Sequence, residues 1–181
     1  MTMNHIWTED PSFDDVPKPV SLIVMKPSVY LETSVISYLT GRPSRDLIVA
    51  GHQQITSEWW VKVLPSVDVF VSELVLDEAA RGDGDAAAQR LARIESMPLL
   101  EAVDEVDGLA RVYADALGLP EKALADAYHM ALATWHGMDY VVSWNCKHIA
   151  SGRVQRVLMD ANDTMDLQTP ILCTPEELME V

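Results

Sequence analysis

The chain has 181 residues, of which 49% are hydrophobic and 23% charged, a composition typical of one soluble globular domain with a core of its own. Its net charge of −15 argues against non-specific binding along a polyanion, and no apolar run is long enough to cross a bilayer. The acidic N-terminus does not resemble a secretory signal and the two cysteines do not make a disulfide scaffold, so we expect a cytoplasmic protein.

The first 24 residues differ in composition from the rest of the chain. They are acidic, contain several prolines and show no hydrophobic periodicity. This composition predicts a disordered N-terminal arm. Residues 25–181 are predicted to form a single domain.

Beyond this arm, short apolar runs alternate with helical patterns. Val29-Tyr30-Leu31 predicts a buried strand, followed by a helix capped by Thr33 or Ser34. Further strands are predicted at 67–71, 99–100, 140–143 and 171–172. Further helices are predicted at 45–64, 73–81, 85–95, 104–117, 120–136, 146–149 and 153–160, with a last helical turn from Pro175. This alternation predicts an α/β fold, a three-layer α/β/α arrangement with a mainly parallel central sheet.

Oxygen-bearing side chains follow three of these strands. Glu32 comes directly after the first strand, Glu78 lies in the helix after the second, and Asn145 follows the strand at 140–143. Asp126 lies inside the most apolar helix, where a carboxylate needs a cation or a basic partner. Ligands of parallel sheets bind beyond the carboxyl ends of the strands. The set suits Mg²⁺ or Mn²⁺, ions that activate water for phosphodiester hydrolysis.

Each acid also has a simpler explanation. Glu32 could be a helix N-terminal acid that the helix dipole favours, and Glu78 could be a solvated helix residue. Asp126 could pair with a basic side chain in the core. The functional interpretation depends on the convergence of all three at one edge of the sheet.

Four segments carry these residues: VYLETSVI at 29–36, VSELVLDEAARG at 71–82, LADAYHMA at 124–131 and VVSWNCKHI at 141–149. In this order and spacing they resemble the motifs of the PIN-domain family, over about residues 28–175. The resemblance implies a nuclease dependent on Mg²⁺ or Mn²⁺, with a PIN-like fold. The commonest small members are VapC-type toxins of toxin–antitoxin pairs, which cut RNA.

The resemblance also implies roles for individual residues. Glu32, Glu78 and Asp126 would bind the metal and, with Asn145, form the catalytic set. Glu32 stands where the family usually has Asp, and Asn145 stands where it usually has a fourth acid. We therefore expect one well-held metal ion, with the Asn145 carbonyl orienting a metal-bound water.

Four polar residues border this catalytic set and are candidates for substrate binding: Thr33, Ser34, Lys147 and His148. Lys147 could meet a phosphate, and His148 could contact substrate or shuttle a proton. Alternatively, these last two side chains pack and cap a short helix.

The predicted function is metal-dependent endoribonuclease activity in the toxin of a toxin–antitoxin pair. The predicted partners are a single-stranded or looped RNA, an antitoxin protein and a second copy of the chain, without a membrane. One alternative is a catalytically silent PIN-like module that binds proteins, which the departures at Glu32 and Asn145 motivate. A second alternative is a metal-dependent phosphatase acting on small phosphorylated substrates.

Overall fold

Seven α-helices surround a five-stranded sheet in the part of the chain that the computed structural model describes, residues 25–179. The arm predicted for residues 1–24 lies outside this part. The strands are β1 (Ser28–Leu31), β2 (Asp68–Ser72), β3 (Leu99–Leu100), β4 (Tyr140–Val142) and β5 (Ile171–Cys173). The helices are α1 (Thr33–Thr40), α2 (Leu47–Lys62), α3 (Glu73–Ala79), α4 (Gly84–Ile94), α5 (Asp104–Leu117), α6 (Leu124–Trp135) and α7 (Gly152–Asp163).

The strand order is β3-β2-β1-β4-β5, and each neighbouring pair in the described sheet is parallel. The predicted three-layer α/β/α fold with a mainly parallel central sheet is therefore confirmed. β1 lies at the centre of the sheet. The chain builds outwards from it through β2 and β3 and then returns to its other side for β4 and β5. Such a reversal opens a crevice beyond the carboxyl ends of the strands, here between β1 and β4.

The core lies on both faces of the sheet. Val29, Tyr30 and Leu31 of β1 are fully buried, as expected of a central parallel strand covered by helices on both sides. Helix α6 contributes Met130 and Ala131, which are also fully buried. This apolar helix therefore lies in the core, and Asp126 lies in its first turn.

Several element ends differ from those expected from the sequence. The cap of α1 is Glu32, whose carboxylate accepts a hydrogen bond from the Ser34 backbone N–H, rather than Thr33 or Ser34. The segment at 146–149 forms hydrogen-bonded turns instead of a helix, and a turn of 3₁₀ helix at Glu121–Ala123 precedes α6. Within residues 25–179, no helix combines the length and the apolar character needed to span a membrane.

Candidate functional site

The carboxyl ends of β1, β2 and β4 bring together side chains that are far apart in the sequence. Glu32 follows β1 directly, Glu78 lies in the helix that starts at the end of β2, and Ser143 follows β4. Because these strands are neighbours in the sheet, their following residues meet at one edge. The strand order predicts a ligand-binding crevice at this edge.

The Glu32 carboxylate is held in place from two elements. Its Oε1 accepts from the Ser34 backbone N–H at 3.1 Å, and its Oε2 accepts from the hydroxyls of Ser34 and of Ser143, the latter at 2.6 Å. The residue is 7% exposed. A carboxylate this buried needs such donors, because burial without them penalises its charge. Glu32 is thus both the N-cap of α1 and a preorganised anion facing the crevice.

Glu78 approaches from α3. Its Oε2 accepts from the Thr33 hydroxyl at 2.5 Å and lies 3.2 Å from Nε2 of His129. Burial raises the pKa of the Glu78 carboxyl, but the hydrogen bonds from His129 and Thr33 outweigh burial, so the pKa lies below its usual value. The side chain is therefore ionised at neutral pH.

Glu32, Glu78 and His129 form a group that could hold a metal ion. One ligand atom from each residue lies within 4.8 Å of the other two. Two carboxylates and one imidazole are donors that divalent cations accept in proteins, and two negative charges offset those of the ion. The residues present therefore fit a divalent cation.

Asp126, one helical turn before His129 on α6, has different partners. Its Oδ1 accepts from the Asn145 side-chain amide at 2.9 Å, and its Oδ2 lies 2.8 Å from Nδ1 of His148. Asn145 in turn uses its carbonyl oxygen to accept from the His148 backbone N–H at 3.1 Å. Of the three predicted metal ligands, the structure thus groups Glu32 and Glu78 with His129, whereas Asp126 pairs with Asn145 and His148.

Ser143 connects the two sets of residues. Its hydroxyl donates to Glu32 and accepts from the Asn145 backbone N–H at 2.9 Å. A continuous path of hydrogen bonds therefore runs from Glu32 through Ser143 and Asn145 to Asp126. Glu32 and Asp126 therefore belong to one hydrogen-bonded network that orients both carboxylates.

The predicted substrate-binding residues have several different environments. Thr33 and Ser34 donate their hydroxyls to Glu78 and Glu32, so both side chains support the acids. Lys147 is exposed, and the His148 side chain retains 20% of its accessible surface beside Asp126. Of these four residues, Thr33 is buried, Ser34 and His148 are partly exposed, and Lys147 is exposed.

Two members of the site were not among the residues predicted from the sequence. His129 lies three residues after Asp126 on a helix, and this spacing already places both on one face. Ser143 is fully buried at the end of β4, where an isolated serine gives no signal of its own. Its role follows only from the pairing of β1 with β4, which brings it to Glu32.

No protein-family model matches the chain, and no curated protein matches it either.

Proposed function

We propose that this protein is a divalent-metal-dependent endoribonuclease of the VapC-like PIN type, acting as the toxin of a toxin–antitoxin pair. The observation that carries the proposal is the convergence of three carboxylates, from β1, α3 and α6, at the carboxyl edge of a parallel sheet. These acids lie in the four segments that resemble the PIN motifs, and two of them form a group with His129 that could hold a cation.

The residues divide into two roles in this proposal. Glu32, Glu78 and His129 would hold the cation, which when bound lowers the pKa of a coordinated water and offsets charge on the scissile phosphate. Asp126 would accept the proton of the attacking water as general base. Asn145 and His148 hold the two oxygens of Asp126 in a fixed orientation, which a general base requires.

The substrate proposed is a single-stranded or looped RNA. The chain carries 28 acidic residues against 13 basic ones, so long-range attraction to phosphates is not available. Recognition would instead be local, with the exposed Lys147 and the edge of His148 beside the acids. A bound cation would also reverse the sign of the charge in the crevice.

The first experiment compares RNA cleavage in the presence of Mn²⁺ by the wild-type chain and by Asp126→Asn. Loss of a general base should reduce the cleavage rate by about 100-fold or more. Asp163→Asn removes the same charge from an exposed position at the end of α7 and serves as the matched control. Equal cleavage by wild type and Asp126→Asn would contradict the proposed role. If the protein cleaves none of the RNAs tried and also binds no metal ion, the proposed nuclease function is contradicted.

A catalytically silent protein-binding module is the second candidate. The favouring observation is that each of the three carboxylates already has protein hydrogen-bond partners: Ser34 and Ser143 at Glu32, Thr33 and His129 at Glu78, and Asn145 and His148 at Asp126. Such a network stabilises the charges without a cation. A ligand that binds only the native state raises the melting temperature, so a Tm unchanged by Mn²⁺ would favour this module.

The remaining predictions on partners and chemistry have separate tests. An antitoxin would block the crevice with an arginine placed among the acids, and its addition should abolish RNA cleavage.

A homodimer should appear as twice the monomer mass in light scattering of the purified chain. Hydrolysis of a chromogenic phosphomonoester without cleavage of RNA would indicate the metal-dependent phosphatase instead.

A further inference from the structure

His129 adds a nitrogen ligand to a group of oxygen ligands. It is 1% exposed, and its Nε2 lies 3.2 Å from Oε2 of Glu78. The PIN resemblance implied a catalytic set made only of carboxylates and one amide, with no nitrogen ligand from a histidine. An imidazole changes which cations the group favours. Mg²⁺ prefers carboxylate and water oxygens, whereas imidazole suits transition-metal ions.

The other ring nitrogen of His129 is bonded to a buried tyrosine. Nδ1 lies 2.8 Å from the hydroxyl oxygen of Tyr30, and that oxygen lies 2.7 Å from the Ser72 hydroxyl. A neutral hydroxyl donates one hydrogen bond and accepts another. The three side chains therefore form a continuous relay.

Two proton arrangements satisfy this relay. In the first, Nε2–H of His129 donates to Glu78, Tyr30 donates to Nδ1, and Ser72 donates to Tyr30. In the second, Nε2 has a free lone pair, Nδ1–H donates to Tyr30, and Tyr30 donates to Ser72. Only the second arrangement allows Nε2 to ligate a cation. A metal-binding histidine ordinarily has such a partner for its other N–H, which fixes the tautomer and the ring orientation.

We infer that the group of Glu32, Glu78 and His129 selects a divalent transition-metal ion, of the class of Mn²⁺, Co²⁺ and Zn²⁺, over Mg²⁺. Tyr30 is the positioning residue: when a cation displaces the Nε2 proton, its hydroxyl accepts from Nδ1–H of His129 and so stabilises the ligating tautomer. The inference concerns the same metal site on which the proposed nuclease function rests. It specifies the class of cation that the site binds and the residues that determine this preference.

The test is a calorimetric titration of the full chain with Co²⁺ and, separately, with Mg²⁺. We expect the wild type to bind one Co²⁺ per chain and to bind it more tightly than Mg²⁺. His129→Asn removes the nitrogen ligand, so the preference for Co²⁺ should disappear together with the visible absorption of nitrogen-ligated Co²⁺. Tyr30→Phe keeps the aromatic ring and removes the hydroxyl that bonds to His129. The affinity for Co²⁺ should fall by about 10- to 100-fold, whereas the affinity for Mg²⁺ should change little.

Tyr113→Phe is the matched control for Tyr30→Phe. Tyr113 is also fully buried, and its hydroxyl bonds to Thr134 and Asn162 rather than to the metal group. Its loss should leave both metal affinities unchanged, even though it removes a comparable pair of buried hydrogen bonds. Melting curves of the metal-free variants establish that each one folds.

The outcomes separate this inference from the proposed function. Equal affinity for Co²⁺ and Mg²⁺ in the wild type would overturn the inference and leave a metal-dependent nuclease standing. An affinity ratio that His129→Asn and Tyr30→Phe do not change would overturn it in the same way. Binding of neither cation would overturn the metal selectivity and the proposed nuclease together.

Discussion

The acids of the crevice depend on small hydroxyl residues for their orientation. Thr33 donates to Glu78, and Ser34 and Ser143 donate to Glu32. A hydroxyl offers one donor and can accept at the same time, so it can link an acid to a neighbouring backbone amide. These short side chains cost little conformational entropy to fix. They therefore preorganise the carboxylates before any ligand arrives.

Ser143 gives the clearest test of this arrangement. Ser143→Ala removes a donor from the buried Glu32 carboxylate and an acceptor from the Asn145 backbone N–H. Loss of buried partners should lower the free energy of unfolding by about 1–3 kcal/mol, measured by urea denaturation. Ser57→Ala, at an exposed site on α2, is the control and should change stability by less than about 0.5 kcal/mol. Equal losses in both variants would contradict a specific role for Ser143.

At the scale of single elements, helix ends position residues of the candidate site. Glu32 and Ser72 are the N-caps of α1 and α3, and each also belongs to the site or to the relay behind it. The end of α3 is held by Arg90 of α4, whose guanidinium donates to the carbonyls of Ala79 at 2.8 Å and Arg81 at 2.5 Å. These two hydrogen bonds hold the last turn of α3, which carries Glu78.

Helix α5 offers a test of backbone conformation with its own control. Gly118 ends the helix in the left-handed region with φ +62°, whereas Gly108 is an exposed residue within the helix. Neither position has an atom within 4 Å of an added Cβ, so packing does not distinguish them. Gly118→Ala should destabilise the protein by about 1 kcal/mol because of backbone strain.

Gly108→Ala should have the opposite effect in the same measurement. Alanine has less freedom in the unfolded chain and a higher helix propensity, so we expect a stabilisation of about 0.5–1 kcal/mol. Urea denaturation of both variants provides the comparison. A stabilising effect of Gly118→Ala would contradict the left-handed helix end.

Across the whole molecule, buried tyrosines couple folding to pH. Tyr30 and Tyr113 are fully buried, and burial raises the pKa of each above the usual value of 10.0, despite hydrogen bonds that lower it. The folded state therefore favours the protonated hydroxyls. The contribution of these two tyrosines to the free energy of unfolding is fully present below their pKa in the unfolded chain. It is lost as the pH rises from there towards their pKa values in the folded protein.

We accordingly expect the free energy of unfolding to fall as pH rises above 10.0. Tyr113→Phe removes one of the two groups and should make this decrease less steep. Urea denaturation over a series of alkaline buffers measures the slope. Tyrosinate absorbance should show in parallel that both buried hydroxyls ionise only on unfolding. A slope that Tyr113→Phe does not change would contradict the role of this residue.

The sequence by itself determined the fold class and the positions of the acids in it. Strands and helices have periodicities of about 2.0 and 3.6 residues, which are local properties of the chain. For that reason the strand at Val29 to Leu31 and the helix from Asp104 to Leu117 could be predicted. The element order then placed Glu32, Glu78 and Asn145 at one edge of a parallel sheet.

Only the tertiary structure decided which side chains contact one another. Glu78 and His129 are 51 residues apart, and Glu32 and Ser143 are 111 residues apart. Whether such groups meet depends on strand order, register and helix packing, none of which is encoded in a local pattern. The structure groups His129 with Glu32 and Glu78, pairs Asp126 with His148, and places the Tyr30 hydroxyl beside the His129 imidazole. Those long-range contacts could not be inferred from the identities of the acids alone.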